Sequence, residues 1–568
     1  MQPASDSPSG GGGSSSSLRR WGPIAGIIVV IAVIVGIVVA SGGDDDDSTS
    51  AGGGTATTQA GATGADDYPV SFSAAKDAGV KDIDWGDRCD TDTGQIAIPS
   101  YYAPECYKPW PAGQDNGGAT ADGVTADSIK VVVYLAPEVD PVLDYITDAI
   151  HVDDTNDQIK DTISKWSAML ETYEETYGRH VDLQYYVSQG TSTDAVTARA
   201  DAVKIAETIH PFQVWGGPAL TTAFGDELTA RGIQCYGCGI KVNDFPSANA
   251  LQGNYLGGAM STEEARYQNV QALSKQVSGQ KAEYAGDAAM QKEDRKFGYL
   301  YISTSDDSAK QADKYKQQLA DAGVTLSEMV PYTLDPATLQ ETAANAISKL
   351  KSAGVTTIIF SGDPIAPRDF TKEATTQNYF PEWFLNLSVL IDTNVFSRTY
   401  DQQQWKHAFG LSALTTRIDP KSAGEITGFY IYNWFYGSDP LAKGTIGVDV
   451  PAPSWFYRTL QEVGPNLTHE TFRDALFRLE PSHRGVTSPY STWGDHGIWK
   501  QFEGKDFEGI DDITKIWWDP DQQGEDEIHN AGKGVWQFVD GGKRYLPNEW
   551  KKGDFGAFDT EGAAGILD

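Results

Sequence analysis

Positive charge is what this chain has least of for its size. Lysine and arginine number 44 against 79 aspartates and glutamates, a formal charge of −35. That balance argues against nucleic acid or an anionic membrane surface as the main partner. A solvated acidic exterior on an exported protein explains it most simply, with charge-guided ligand capture as the other reading. Histidine is scarce, and the eight present are scattered without a metal-ligand spacing such as His-x-x-x-His. There is no Gly-x-Ser-x-Gly, no Walker-type phosphate loop and no Gly-x-Gly-x-x-Gly after a strand. No cofactor is therefore expected. Acid pairs such as Asp306/Asp307 could serve glycoside chemistry only across a sugar, and capping or turn roles are the plainer reading. Cysteine is limited to four residues, Cys89, Cys106, Cys235 and Cys238.

Only one long hydrophobic run is present. Arg19-Arg20 precede Trp21, and the stretch from Trp21 to Ala40 would span about 30 Å as a helix, enough to cross a bilayer. Basic residues lie before it and Asp44–Asp47 after it, so the N-terminus is expected inside and the bulk outside. The expected organisation is a cytoplasmic stub (1–20), a transmembrane helix or signal anchor (21–41) and a flexible acidic linker (42–66). The protein would sit in the cell membrane as a single-pass protein, or be secreted if the run is cleaved as a signal peptide. The absence of a cysteine after the run excludes a diacylglyceryl anchor. The stub is too short for a signalling domain.

Residues 67–124 form a Pro/Gly/Tyr-rich extension. All four cysteines lie on the presumed outer side, where even numbers favour disulfides, and Cys89 pairs naturally with Cys106. Asp90-Thr-Asp92-Thr-Gly94 faintly resembles a calcium loop but lacks the later acidic ligands, so a capped turn is expected.

The remainder alternates strand and helix. Lys130–Leu135 is the first strand. Ile159, Ile163, Trp166, Leu170, Tyr173 and Tyr177 then make one apolar helical stripe, stopped by Gly178. Val181–Val187, a helix opened by Asp194, Phe212–Trp215 before Gly216-Gly217-Pro218, and Ile233–Tyr236 follow. The same order returns at Phe297–Ile302, a helix with Ala312, Tyr315 and Leu319, Val324–Val330, a helix capped at Asp335-Pro336, and Val355–Phe360 before Ser361-Gly362-Asp363-Pro364. This is an α/β chain with a duplicated parallel-sheet domain. Ligands in such sheets sit beyond the carboxyl ends of the strands, so two facing lobes bring Gly216–Leu220 and Ser361–Pro364 to one cleft. His407–Leu411 is expected to return the chain to the first lobe. Ile516–Pro520 and Gly534–Val539 read as a closing hairpin, whose tryptophans are core or sugar-stacking groups.

Cys235-Tyr-Gly-Cys238 is the one motif with redox potential. It follows the fourth strand, which favours a structural disulfide over an extracellular thiol–disulfide oxidoreductase.

From about Gly123 to Tyr545 the chain resembles the type I periplasmic solute-binding proteins, in particular the branched-chain amino acid-binding type of ABC importers. The carriers are Gly123-Val-Thr-Ala-Asp-Ser-Ile129, Tyr177-Gly-Arg-His-Val181, Val214-Trp-Gly-Gly-Pro218, Phe297–Asp307, and the tail Trp517-Trp518-Asp519-Pro520 with Gly541-Gly542-Lys543-Arg544-Tyr545. The resemblance implies two Rossmann-like lobes joined by a multi-segment hinge: lobe I over 125–258, lobe II over 259–407, a return to lobe I over 408–510, and a crossover, hairpin and tail over 511–568. It implies capture of a small polar solute, amino acid-like or related, for a membrane permease, with no enzymatic step. The resemblance together with the predicted cleft loops gives as candidate ligand residues Pro137, Glu138, Gly217, Pro218, Ala219, Leu220, Tyr236, Gly237, Thr304, Asp306, Asp307, Gly362, Asp363 and Ser388, with Asp363 near the family's acidic residue that would face a ligand ammonium. Pro218 lacks an N–H and Ala219 a hydroxyl, departures that leave room for a larger, more polar or cationic ligand held by Glu138, Asp306, Asp307 and Asp363. A ligand-sensing or envelope-scaffold role on the same fold is the remaining alternative.

Overall fold

A computed structural model describes residues 68–100, 103–217, 220–239, 244–303, 305–387, 390–414, 428–481 and 489–561. The expected membrane anchor and acidic linker lie outside these residues. Among the described residues no helix is long and apolar enough to cross a membrane.

Two large sheets organise the described residues, besides a small two-stranded one (Cys89–Asp90 with Gln95–Ile96) in the extension. The first contains β1 (Ser128–Leu135), β2 (His180–Val187), β3 (Gln213–Trp215), β4 (Gln234–Tyr236) and β5 (Tyr255–Leu256), all parallel in the order β2-β1-β3-β4-β5. β1 is Val-rich because it is covered on both faces. Val131, Val133 and Leu135 enter one core with Trp166 and Phe456, while Val132 and Tyr134 enter another with Ile205 and Phe224. The second sheet contains β6 (Phe297–Ile302), β7 (Leu326–Tyr332), β8 (Thr357–Ser361), β9 (Glu382–Asn386), β10 (Ala408–Ser412), β11 (Ile513–Glu525) and β12 (Ala531–Phe538). Its order is β7-β6-β8-β9-β10-β11-β12, and the last two strands are antiparallel. The first five strands of each sheet therefore share one order, which places a switch point between the first and third strands of both lobes.

This topology corrects the expected return of the chain at His407–Leu411. β10 pairs in parallel with β9 and stays in the second lobe. All five of its residues are buried, so it fits only where both faces are covered. The return to lobe I comes later than 408. Residues 428–481 supply Tyr432, Phe456, Tyr457, Leu460 and Phe472 to the first lobe's core. The hairpin of β11 and β12 forms as expected, and Trp517, Trp518 and Trp536 are buried as core residues.

Other boundaries move, and the strand expected at Val324–Val330 lies at Leu326–Tyr332. The helix with the Ile159 stripe spans Asn156–Tyr173, and Tyr177 lies beyond it with φ at 55°. Tyr177 instead stacks edge-on with Tyr68 and Trp110 of the extension. Asp335-Pro336 caps a turn rather than a helix, since Asp335 binds Ala337 N and Thr338 Oγ1 and the helix begins at Leu339.

The extension lies along the amino ends of the first sheet. Arg179, just before β2, donates to the carbonyls of Thr125, Pro465 and Asn116 at 2.9, 2.8 and 2.7 Å. Tyr107 donates to Glu462, and Arg88 pairs with Glu175 at 2.8 Å. Asp90 accepts from Asp92 N at 3.0 Å, the expected capped turn.

Two crossovers between the lobes run side by side. Gly257 N donates to Phe507 O at 2.8 Å, and Gly509 N and Ile510 N donate to Ala259 O at 2.9 and 3.2 Å.

Candidate functional site

Three carboxyl-end loops of the first lobe are tied together at Ser192. After β1, Pro137 is half-buried and Glu138 exposed. Asp140 then caps helix α1 (Pro141–Asp148): Oδ1 accepts from Val142 N and Leu143 N, both at 3.1 Å. Its other oxygen accepts from Ser192 N at 2.5 Å, in the loop after β2. Ser192 O accepts from Leu220 N at 2.7 Å, in the loop after β3, while Gly217 lies against the Tyr134 carbonyl. Two hydroxyls in these loops, Ser192 Oγ and Thr221 Oγ1, are buried without a hydrogen-bond partner.

The same loops reach the second lobe. Ile146, Ile150 and Val152, in and after α1, share a core with Ile302, Tyr332 and Ile365, and Leu220 packs on the cores of both lobes. Arg368 donates to the Tyr145 hydroxyl across the junction.

On the second lobe Asp363 is 6% exposed and fully engaged. Oδ1 accepts from Ile365 N and Ala366 N, each at 2.8 Å, where helix Ala366–Thr376 begins, and Oδ2 accepts from Tyr332 OH at 2.7 Å. Burial raises its pKa, and burial with the Asp363 charge holds the Tyr332 phenol well above its usual value. Gly362 is required by close approach, because a Cβ there would collide with the Tyr332 hydroxyl. The structure thus directs this carboxylate to its own helix start and to Tyr332, not to an open cleft.

Tyr236 and Gly237 stand nearer the crossovers. Gly237 N donates to Leu256 O at 3.0 Å, and the buried Tyr236 ring has Glu508 as its electrostatic neighbour. Pro218, Ala219, Thr304, Ser388 and the side chains of Asp306 and Asp307 lie outside the described residues. Asp306 and Asp307 open helix Asp306–Asp321, which Ser305 caps. Among the described residues no group of His, Cys, Asp and Glu has the geometry to hold a metal.

Arg266, near the start of helix Thr262–Ala272, is 7% exposed. Its Nη1 donates to Gln311 Oε1 at 2.6 Å, while Nε and Nη2 are buried with no partner. Burial lowers its pKa, and Glu263, Tyr299 and Asp244 are its electrostatic neighbours. Tyr299 stacks on Tyr301 at 4.7 Å and bonds Ser361 at the carboxyl end of β8.

No protein-family model and no curated protein matches the chain. Solved structures do. In fold, the chain is similar to solute-binding proteins of ABC transporters. One is a fatty acid ABC transporter substrate-binding protein from Thermomonospora curvata, at 14% identity and a TM-score of 0.46, covering 79% of this chain and 100% of that one. A second is a solute-binding protein from Rhodopseudomonas palustris HaA2 in complex with p-hydroxybenzoic acid, at 9% and 0.46, covering 74% and 98%. A third is a substrate-binding protein from Desulfitobacterium hafniense in complex with Leu, at 12% and 0.42, covering 74% and 100%.

Sequence reasoning missed α1, Ser192 and Arg266. The signal for α1 was present in Asp140-Pro141, a cap followed by a first helical position. Ser192 lies in the polar stretch Gln189–Thr193 with nothing local to mark it. Arg266 is one of several polar residues on a helix whose apolar stripe is weak, and only burial singles it out.

Proposed function

We propose that the protein is an extracytoplasmic solute-binding protein that captures a small polar solute between its two lobes for an ABC-type permease, without covalent chemistry. The observation that carries this reading is the set of unpartnered polar groups near the carboxyl ends of both sheets: the Ser192 and Thr221 hydroxyls on one lobe and the Arg266 guanidinium on the other. A buried donor or acceptor left unsatisfied costs about 1–3 kcal/mol, and a solute offering matching groups removes that cost. A guanidinium with two free nitrogens, Nε and Nη2, suits a carboxylate. The residues before 68 would supply the membrane tether.

The experiment is thermal unfolding of the protein against amino acids, amides, polyamines, short peptides, sugars and simple carboxylic acids. A solute at 100 times its dissociation constant should add about 2.7 kcal/mol. We expect acid-bearing solutes to shift the midpoint most, with Arg266→Gln and Ser192→Ala each reducing the shift. No shift from any class would sink the solute-binding reading.

Both cysteine pairs fit disulfides. Cys89 and Cys106 have Cα atoms 5.8 Å apart, as do Cys235 and Cys238. Cys235 lies within β4, and it and Cys238 are buried, which suits a structural bridge better than a reactive thiol. No thiol is expected to react with a thiol reagent in denaturant until a reductant is added. Cys89→Ser should cost about 3 kcal/mol, as for other loops of similar length. Reactive thiols in the unreduced, denatured chain would remove the bridges.

A further inference from the structure

Four buried carboxyl groups face one another where the two crossovers meet. Glu264 comes from helix Thr262–Ala272, Asp506 and Glu508 from the returning crossover, and Asp511 from the residues leading into β11. Glu264 Oε2 accepts from Ser261 N at 2.7 Å, Asp506 Oδ1 from Glu508 N at 2.8 Å and Glu508 Oε1 from Tyr255 OH at 2.9 Å. Asp511 accepts from Trp499 Nε1 at 2.7 Å and Thr492 Oγ1 at 2.8 Å. Three oxygens remain buried with no partner: Glu264 Oε1, Asp506 Oδ2 and Glu508 Oε2. The last of these occupies the place a side chain at Gly257 would take, so glycine is required on the opposing crossover.

No counter-charge is paired with the cluster, although His496 and Lys500 stand on the wall of the cavity that reaches Asp506. Among the described residues no Lys, Arg or His forms an ion pair with any of the four. Arg544 is committed to Asp512 at 2.8 Å, and Arg266 has Glu263, Asp244 and Tyr299 as its neighbours. The other titratable groups around the cluster are Tyr236 and Tyr255 beside Glu508, Tyr490 and Asp512 beside Asp511, and Asp495, His496 and Lys500 on the wall of the cavity at Asp506. Buried carboxylates without cation or donor are unfavourable, whereas a carboxylic acid supplies the missing donor to a neighbour's free oxygen. A cavity of about 310 Å³, lined in part by Thr492, Trp499 and Asp506, lets solvent protons reach the group.

We propose that this cluster binds protons at neutral pH and that they lock the two crossovers together, so that the hinge between the lobes tightens in acid and loosens in alkali. Burial is the largest cause of upward pKa shifts at all four groups. It pushes Glu508 up to about 8 and Asp511 to about 7, and holds Glu264 and Asp506 well above the usual carboxylate range. The unfolded groups titrate near pH ~4, so the folded state holds more protons above that value. The stabilisation is therefore complete below about pH 4 and disappears as pH rises through about 7 to 8. The inference does not depend on which solute the lobes take.

The test is hydrogen exchange at the Gly257, Gly509 and Ile510 amides, which bridge the crossovers. After correction for intrinsic exchange, their protection should fall by about tenfold or more between pH 6 and pH 9, while that of β8 amides holds. In Glu508→Gln, and in Asp506→Asn, the amide supplies a permanent donor and the fall should shrink. Equal protection at both pH values, or an unchanged fall in the folded variants, overturns the proposal. Should neither variant fold, the wild-type infrared spectrum decides. A protonated-carboxyl band at neutral pH that disappears in alkali supports the lock, and its absence at neutral pH overturns it.

Discussion

Arg295→Leu is expected to cost about 3–5 kcal/mol of stability, the largest effect of any single substitution considered. Arg295 and Glu382 form a bidentate ion pair with both side chains fully buried, Nε to Oε2 at 2.8 Å and Nη2 to Oε1 at 3.0 Å. Glu382 also accepts from Thr357 Oγ1 at 2.6 Å and Tyr284 N at 3.0 Å, and Arg295 donates to Val277 O and Gln280 Oε1, each at 3.1 Å. The guanidinium lies over the rings of Tyr284 and Phe409. Removing one charge leaves the other buried without its counter-ion, which is what makes the loss large. Arg295→Leu combined with Glu382→Leu should recover part of it, because neither charge then remains. Denaturant unfolding measures both. A single variant within 1 kcal/mol of wild type, by the usual scale for exposed pairs, would mean the pair is hydrated in solution.

Asp363→Ala is the second large effect, about 3 kcal/mol. It removes the acceptor for two backbone N–H groups at a helix start and leaves the buried Tyr332 hydroxyl without an acceptor for its proton. Asp363→Asn retains an acceptor for the helix start and can still meet the hydroxyl, so it should lose less than half as much. Were Asp363 only a partner for a ligand ammonium, as the resemblance implies, its alanine variant would weaken solute binding without unfolding the protein. The structure predicts the reverse order, with the unfolding midpoint falling first. An alanine variant of wild-type stability that has lost solute binding would restore Asp363 to the ligand site.

Local patterns in the sequence were readable because each is settled within a few residues. The Val-rich β1, the Ala312–Tyr315–Leu319 stripe and the strand ends at Gly216 and Ser361 all lie where expected. What failed was non-local. Nothing within Ala408–Ser412 says which lobe its neighbour belongs to, since a fully apolar strand suits either sheet. Tyr177 continued the helical spacing, yet aromatic partners in the extension hold it off the helix. The position of Asp363 at a strand's carboxyl end was legible, but its direction depends on Tyr332, 31 residues away. The acids at the hinge were invisible for the same reason, being drawn from segments far apart in the chain.

The extension also sets where the chain enters the folded body at residue 68. Tyr68 and Pro69 rest against Trp110, Tyr177 and Gly464 at the amino edge of the first sheet, the pole opposite the carboxyl-end loops. Under the tether proposed above, the protein would be held by the back of lobe I, with the carboxyl-end loops turned outward. Lobe I would be the fixed jaw, and the second lobe, joined to it through the crossovers, the jaw that swings.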